Sequence, residues 1–267
     1  MNHKNFHYLC IAPIPFLLSF VIQMAVVTFA QVVPGGISGI LLRMMIGVIY
    51  CVIFLGWYYR CFGRRPEVEA KDVITLKNML LLVVLAVAGQ FAISFFLTLL
   101  LPLIAGAAEQ YESSMQSLFQ QSWVSILYVV LLAPIGEECI FRGLTYQYTK
   151  KAIPAAAANV LQAALFGVYH MSLVQGLYAF VMGLVFGYVV YKLKSLWPAI
   201  FLHVILNITG LLLNEYASED MTLFAKVLIL TVSVIAGICA VRGLPTLKET
   251  IIYIKDNQDE VEPVPKN

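Results

Sequence analysis

Two adjacent glutamates, Glu137 and Glu138, stand inside a long apolar stretch, with Arg142 four residues on. Further along, His170 closes one apolar segment, and His203 and Asn207, again four apart, lie inside another. Carboxylate, imidazole and carboxamide groups can activate water and hold the charge that develops when a carbonyl is hydrolysed. Residues four apart share a helical face, so Glu138 and Arg142 can pair along one helix. Glu137 points about 100° away, at 3.6 residues per turn. It has no obvious local cation and is free to face other helices. His203 shares a face with Asn207, and Phe166 with His170. Two chemistries stay open. Glu137, His170 and His203 could bind a divalent metal, zinc foremost, whose bound water becomes a nucleophile near neutral pH. Equally, Glu137 could act as general base, with His203 and Asn207 stabilising an oxyanion.

The setting gives these residues their weight. Of the fifteen acidic residues only Glu137 and Glu138 lie within an apolar segment. Ionisable groups at membrane depth cost roughly 2.5–3.5 kcal/mol each on insertion scales, so they mark function. Each has a plainer reading. A Glu–Arg pair can hold helices together, an intramembrane His can be a packing residue, and Asn is common interhelical glue. The ordered set is stronger than its parts: Glu-Glu-x-x-x-Arg, then Phe-x-x-x-His, then His-x-x-x-Asn.

The elements that must position them are membrane spans. Apolar residues make up 61% of the 267 and charged residues 12%, against about half and a quarter in soluble domains. Lipid is therefore the solvent. A formal charge of +2 leaves no footprint for nucleic acid. The expected fold is an all-α polytopic bundle of about eight transmembrane helices, each about 20 residues or more. These run Leu9–Val33, Ile37–Tyr59, Lys77–Ile104, Ser122–Lys150, Pro154–Met171, Val174–Tyr191, Leu196–Leu213 and Thr222–Val241. Barrel strands would alternate apolar with polar, and these runs do not. Thr28-Phe29-Ala30 resembles a cleavage site, but the first apolar run is too long for a signal peptide. The five cysteines show no CxxC pair and read as small hydrophobes.

Orientation follows from charge. Arg60, Arg64, Arg65, Lys71 and Lys77 flank the second connection, Lys150 and Lys151 the fourth, Lys192 and Lys194 the sixth; Arg242, Lys248 and Lys255 follow the last helix. The alternate connections carry Glu109 and Glu112, then Glu215, Glu219 and Asp220. Basic residues stay inside, so both termini are expected in the cytoplasm. Arg43 and Lys226 lie a turn or two from the outer ends and can snorkel. The organisation expected is three N-terminal helices over 1–121 with a basic loop near 60–77, a four-helix catalytic core over 122–213, a last helix over 214–245, and a polar tail over 246–267.

Three motifs now stand in order: Glu137-Glu138-Cys139-Ile140-Phe141-Arg142-Gly143, Phe166-Gly167-Val168-Tyr169-His170 and His203-Val204-Ile205-Leu206-Asn207. Together they resemble the intramembrane CAAX-type and bacteriocin-processing proteases, also called the Abi or CPBP family. The resemblance covers roughly Ser122 to Leu213, and no motif position departs from the pattern. It implies proteolysis of a prenylated protein or short peptide, with a hydrophobic or lipidated peptide as partner within the bilayer. Glu137 and His170 would then activate water, His203 and Asn207 would be metal ligand or oxyanion support, and Glu138 and Arg142 would position the helix. Some relatives act as membrane regulators, so a non-catalytic scaffold is the leading alternative. A transporter is a weaker one, because no paired halves are visible. The short loops and absence of organelle signals point to a bacterial plasma membrane.

Depth raises a condition. From Pro154, His170 lies about 24 Å along an ideal helix, and His203 only about 10 Å from Leu196. The depths agree if the Met171–Gln175 connection stays below the outer surface, as a protein-covered turn can. Other protease signatures are weaker. Gly36-Ile37-Ser38-Gly39 matches the GxSG of rhomboid serine proteases, but Pro34-Gly35-Gly36 reads as a turn. There is no HExxH, and no aspartate lies in any apolar segment.

Overall fold

Apolar runs that find no water for their N–H and C=O groups must bond within themselves, and the helix is how a single segment does so. The computed structural model describes residues 3–34, 36–63, 68, 70–104, 106, 109–111, 113, 123–213, 222–245 and 249. Among the described residues, six helices are long and apolar enough to cross a membrane: α1 His3–Val32, α2 Gly39–Gly63, α3 Leu76–Leu103, α4 Trp123–Thr149, α6 Leu173–Leu193 and α8 Leu223–Gly243. The described residues also hold two shorter apolar helices, α5 Ala155–Tyr169 and α7 Trp197–Leu213. Each expected span has its helix, and the described residues contain no strand. The protein is an all-helical, multi-pass membrane protein. The expected tail apart from Glu249 lies outside the described residues. So do Arg64, Arg65, Glu112, Ser122, Glu215, Glu219, Asp220, Lys248 and Lys255.

The first helix starts earlier than its apolar run. His3–Ile11 is already helical, the chain breaks at Ala12-Pro13, and the helix resumes at Ile14. Proline has no N–H and cannot continue the ladder. Asn5 Nδ2 of this first piece donates to the Ala152 carbonyl at 3.5 Å. Lys151 Nζ sits over the rings of Tyr8 and Phe62, 5.1 and 4.7 Å from their centroids. At another point, Lys192 Nζ donates to the carbonyls of Val241 and Leu244 at 2.8 and 2.9 Å. The N-terminal piece and the end of α2 therefore share a side with Lys151, and the ends of α6 and α8 meet, as the charge pattern requires.

Packing explains which helix holds the chemistry. α3 lies along α7 and α8, α5 pairs with α6, and α4 is crossed by α1 and touches α2 and α7. α8 turns Phe224, Val232 and Ile235 outward, each more than half exposed. An apolar helix face without a protein neighbour belongs in lipid. α4 is the opposite case. Every residue from 138 to 146 is buried, so this stretch is surrounded on all sides, as a helix in the middle of a bundle is.

The α5–α6 hairpin is tight. At Gly167 an added Cβ would meet the Gly176 carbonyl oxygen at 2.8 Å, so the two backbones touch. Between them Met171 takes a left-handed φ of 53°. The turn bonds internally: Met171 N donates to the Val168 carbonyl at 3.1 Å, and Ser172 Oγ accepts from Gln175 N at 3.3 Å. Fifteen residues of α5 rise about 22 Å, short of the ~30 Å of hydrocarbon. A helix of that length, entering at one surface, ends inside the apolar layer. Exposed Met171 and Leu173 give the turn an apolar outer surface.

Candidate active site

α4 carries the acidic residues into the bundle, and its local path follows from Pro134. Over Tyr128–Leu132 the helix widens, and Ala133 N donates to the Tyr128 carbonyl, five residues back. The next donor in that register would be Pro134, which has none. The Val129 carbonyl is therefore left over, and Asn207 Nδ2 of α7 donates to it at 2.8 Å. A second wide stretch, Cys139–Thr145, follows the glutamates directly. Such bulges are common beside functional residues.

The two glutamates take different partners. Glu138 is fully buried, and its Oε1 accepts from Arg142 Nη1 at 3.0 Å and from His203 Nδ1 at 2.9 Å. The pairing of Glu138 with Arg142 expected from their spacing is present. Because a carboxylate only accepts here, His203 Nδ1 carries the hydrogen. The other ring nitrogen, Nε2, lies 3.8 Å from Glu137 Oε2. One imidazole thus stands between two carboxylates from consecutive residues. Glu137 keeps 13% of its side-chain surface accessible while Glu138 keeps none, so Glu137 is the one a small molecule can reach.

Aromatic rings fix this arrangement. Phe186 stacks on His203 at 4.8 Å, and Phe166 meets both His203 and His170 edge-on, at 6.1 and 4.8 Å. The Arg142 guanidinium lies over Phe166 at 4.2 Å and Phe186 at 5.0 Å. These rings replace part of the hydration that the buried cation loses. Gly183 makes the room: a Cβ there would stand 3.2 Å from Arg142 Nη2 and 3.0 Å from Ala163.

His170 is the C-cap of α5, and its Nδ1 bonds to the Phe166 carbonyl at 2.8 Å. A carbonyl accepts, so Nδ1 bears the hydrogen and Nε2 presents a lone pair. The expected trio of Glu137, His170 and His203 is not gathered as a ligand set. Among the described residues no three His, Cys, Asp or Glu side chains are close enough to hold a metal ion. The physical reason is local. His203 is committed to Glu138 through one nitrogen and turned to Glu137 by the other, while His170 is tied back onto its own helix. Asn207, expected at an oxyanion, gives one of its two Nδ2 hydrogens to the Val129 carbonyl. Ser38 of the GxSG stretch caps α2, accepting from Leu41 N at 3.3 Å.

Sequence reading missed the rings that flank Arg142 and the buried amide Gln162, whose Nε2 donates to the Gly183 carbonyl at 2.9 Å. Asn159 and Gln162 inside an apolar helix were the available signal, since polar residues there need partners.

A bundle of apolar helices around a carboxylate–imidazole–carboxylate cluster defines a membrane protein with a buried polar centre. Residues 119–209 match the family model described as "Type II CAAX prenyl endopeptidase Rce1-like". All six candidate residues fall inside that stretch, in agreement with the resemblance carried by the three motifs. The chain is also similar to "Putative membrane peptidase YdiL" of Bacillus subtilis (strain 168), 28% identical over 132 residues. That alignment takes in 46% of this chain and 52% of the relative, so the chain spans about half the length of the curated protein it matches. No solved structure matches.

Proposed function

We propose that this chain is an intramembrane endopeptidase that hydrolyses a peptide bond in a hydrophobic or lipidated peptide. The observation that carries the reading is the division of labour at Glu137 and Glu138: one carboxylate is bonded to Arg142 and His203, and its neighbour is left facing His203 Nε2. The name of the matching family and that of the bacterial relative support the same class.

In this mechanism Glu137 takes a proton from a water molecule, which attacks the scissile carbonyl. The proton passes to His203 Nε2 and on to the leaving amine. While His203 holds it, Nε2–H donates toward the oxyanion. Glu138 fixes the tautomer and plane of that ring, and Arg142 keeps Glu138 in place. The Nε2 lone pair of His170 orients the attacking water. Positive residues on one face set that face in the cytoplasm, and a bacterial plasma membrane is the proposed location.

The test is cleavage of a mixed hydrophobic peptide pool by purified protein, wild type beside Glu137→Gln, read by mass spectrometry. Loss of cleavage in the variant is the expected result. Equal cleavage by both proteins would remove Glu137 from the mechanism. Silence from both would favour a non-catalytic regulator of the same fold.

A further inference from the structure

Away from the glutamates, a cavity of ≈ 480 Å³ opens where the start of α3 meets the end of α8. These two helices pack along each other, and the charge pattern assigns these ends to the inside. The volume is that of a small-molecule site. Its lining carries charges of both signs, Lys77 and Arg242 with Asp72 and Glu249.

The cations accompany a helix start. Thr75 caps α3, its side chain accepting from Asn78 N at 3.2 Å. The ladder opens with Met79 N, which donates to the Thr75 carbonyl at 2.9 Å, so the N–H groups of Leu76 and Lys77 stay outside it. No acidic residue occupies this first turn; Lys77 stands there instead. Free N–H groups at a positive helix end favour an anion, phosphate above all. Arg242 adds, from α8, a fork of donors that matches phosphate oxygens. The carbonyl end of α8 does not oppose this, because Val241 and Leu244 accept from Lys192 Nζ at 2.8 and 2.9 Å.

The acceptors are as specific. Asn78 lines the cavity at 5% exposure, and its Nδ2 donates to the Val73 carbonyl at 3.0 Å. What it offers a ligand is therefore Oδ1, an acceptor. Glu249 lies within electrostatic reach of Lys192, so Asp72 is the carboxylate placed to answer a ligand's positive charge. A phosphate and an N–H-bearing cation joined in one small molecule satisfy both sets. An apolar stripe shows where the rest of that molecule runs. Leu76, Leu80 and Val84 share one face of α3 by their four-residue spacing, at 77%, 57% and 47% exposure. The stripe starts between Thr75 and Lys77 in the cavity lining and continues into the hydrocarbon, as acyl chains do.

We propose that this cavity binds an inner-leaflet phospholipid whose headgroup joins a phosphate to a primary ammonium. The phosphate lies on Lys77, Arg242 and the N–H groups that open α3, and the ammonium on Asp72 and Asn78 Oδ1. The lipid clasps the inner ends of α3 and α8 together. The site is independent of the peptidase reading.

The experiment titrates the full chain in detergent with phosphatidylethanolamine, phosphatidylcholine and phosphatidylglycerol of identical acyl chains, and counts bound lipid by native mass spectrometry. Wild type is expected to hold phosphatidylethanolamine about five- to tenfold more tightly than either of the others, as for one or two lost charge-assisted hydrogen bonds. Choline keeps the positive charge but has no N–H to donate. Asp72→Asn is expected to erase the margin over phosphatidylcholine, and Arg242→Gln to weaken all three lipids. Asp72→Glu and Arg242→Lys, which keep the charges and guard against a folding failure, retain part of the binding. Equal retention of the three lipids by wild type overturns the site, as does a preference that survives both Asp72→Asn and Arg242→Gln. Tighter binding of phosphatidylglycerol overturns the ammonium half and leaves an anionic-lipid site. Glycerophosphoethanolamine, the same headgroup without acyl chains, separates lipid from soluble ligand: it is expected to compete only weakly, and competition equal to that of the intact lipid overturns the lipid as the occupant.

Discussion

At the residue scale, the cluster assigns different failures to adjacent positions. Glu138→Gln keeps the shape but loses the charge that orients His203. A fall in kcat between about 10²- and 10⁴-fold is expected, the range for groups that hold a functional imidazole. KM is expected to be unchanged, and steady-state kinetics on the hydrophobic peptides separates the two. Arg142→Met instead leaves a buried carboxylate without its cation. The expected loss is about 3–5 kcal/mol of stability, read from unfolding in detergent, with part of it recovered in the Glu138→Gln/Arg142→Met double variant. The sequence made one of these contacts legible and hid the other. Glu138 and Arg142 are four apart on one helix, so spacing alone pairs them. His203 reaches Glu138 from 65 positions away, and nothing local distinguishes a histidine that holds a carboxylate from one that holds a metal.

At the element scale, two close approaches set the hairpin and the central helix. Gly183→Ala would press on Ala163 and on Arg142 Nη2, at an expected cost of about 1–3 kcal/mol as overpacking. Activity falls with it, because the guanidinium must shift. Gly89→Ala in α3 is the matched control. Its Cβ would find neighbours no nearer than 3.4 Å, and alanine favours the helix, so thermal unfolding is expected to stay level or rise slightly. The helices themselves were legible from apolar runs, to within a few residues at most ends. The early start of α1 was not, because polar His3, Lys4 and Asn5 hide a helical turn that docks on Ala152. Nor was the role of Asn207. It depends on how far α4 unwinds before Pro134, which no apolar count shows.

At the scale of the whole molecule, the orientation expected from Lys and Arg rests on charge asymmetry, which is a whole-chain property. It carries a labelling prediction. Cys61 is exposed at the end of α2, which the charge pattern assigns to the inside. In a variant that keeps it as the sole cysteine, a membrane-impermeant maleimide should label inside-out vesicles and spare intact cells. Thr222→Cys, at the start of α8, should show the opposite pattern. Labelling of both from one side would break the alternation of the eight helices.

The burial of residues 138–146 of α4 on every side has a consequence for how the protein is made. A span bearing Glu137, Glu138 and Arg142 leaves the translocation channel with groups that lipid does not solvate. Arg142 and Glu138 can satisfy each other at once, within one helical turn. His203 emerges only after two further helices have been synthesised, so until then Glu138 lacks one of its two donors and Asn207 is not there to close the Val129 carbonyl. α4 is therefore a segment whose place in the membrane is secured late. Nascent chains that stop before α7 should leave it slow to integrate and open to quality-control proteases, whereas chains extended through Leu213 should hold it.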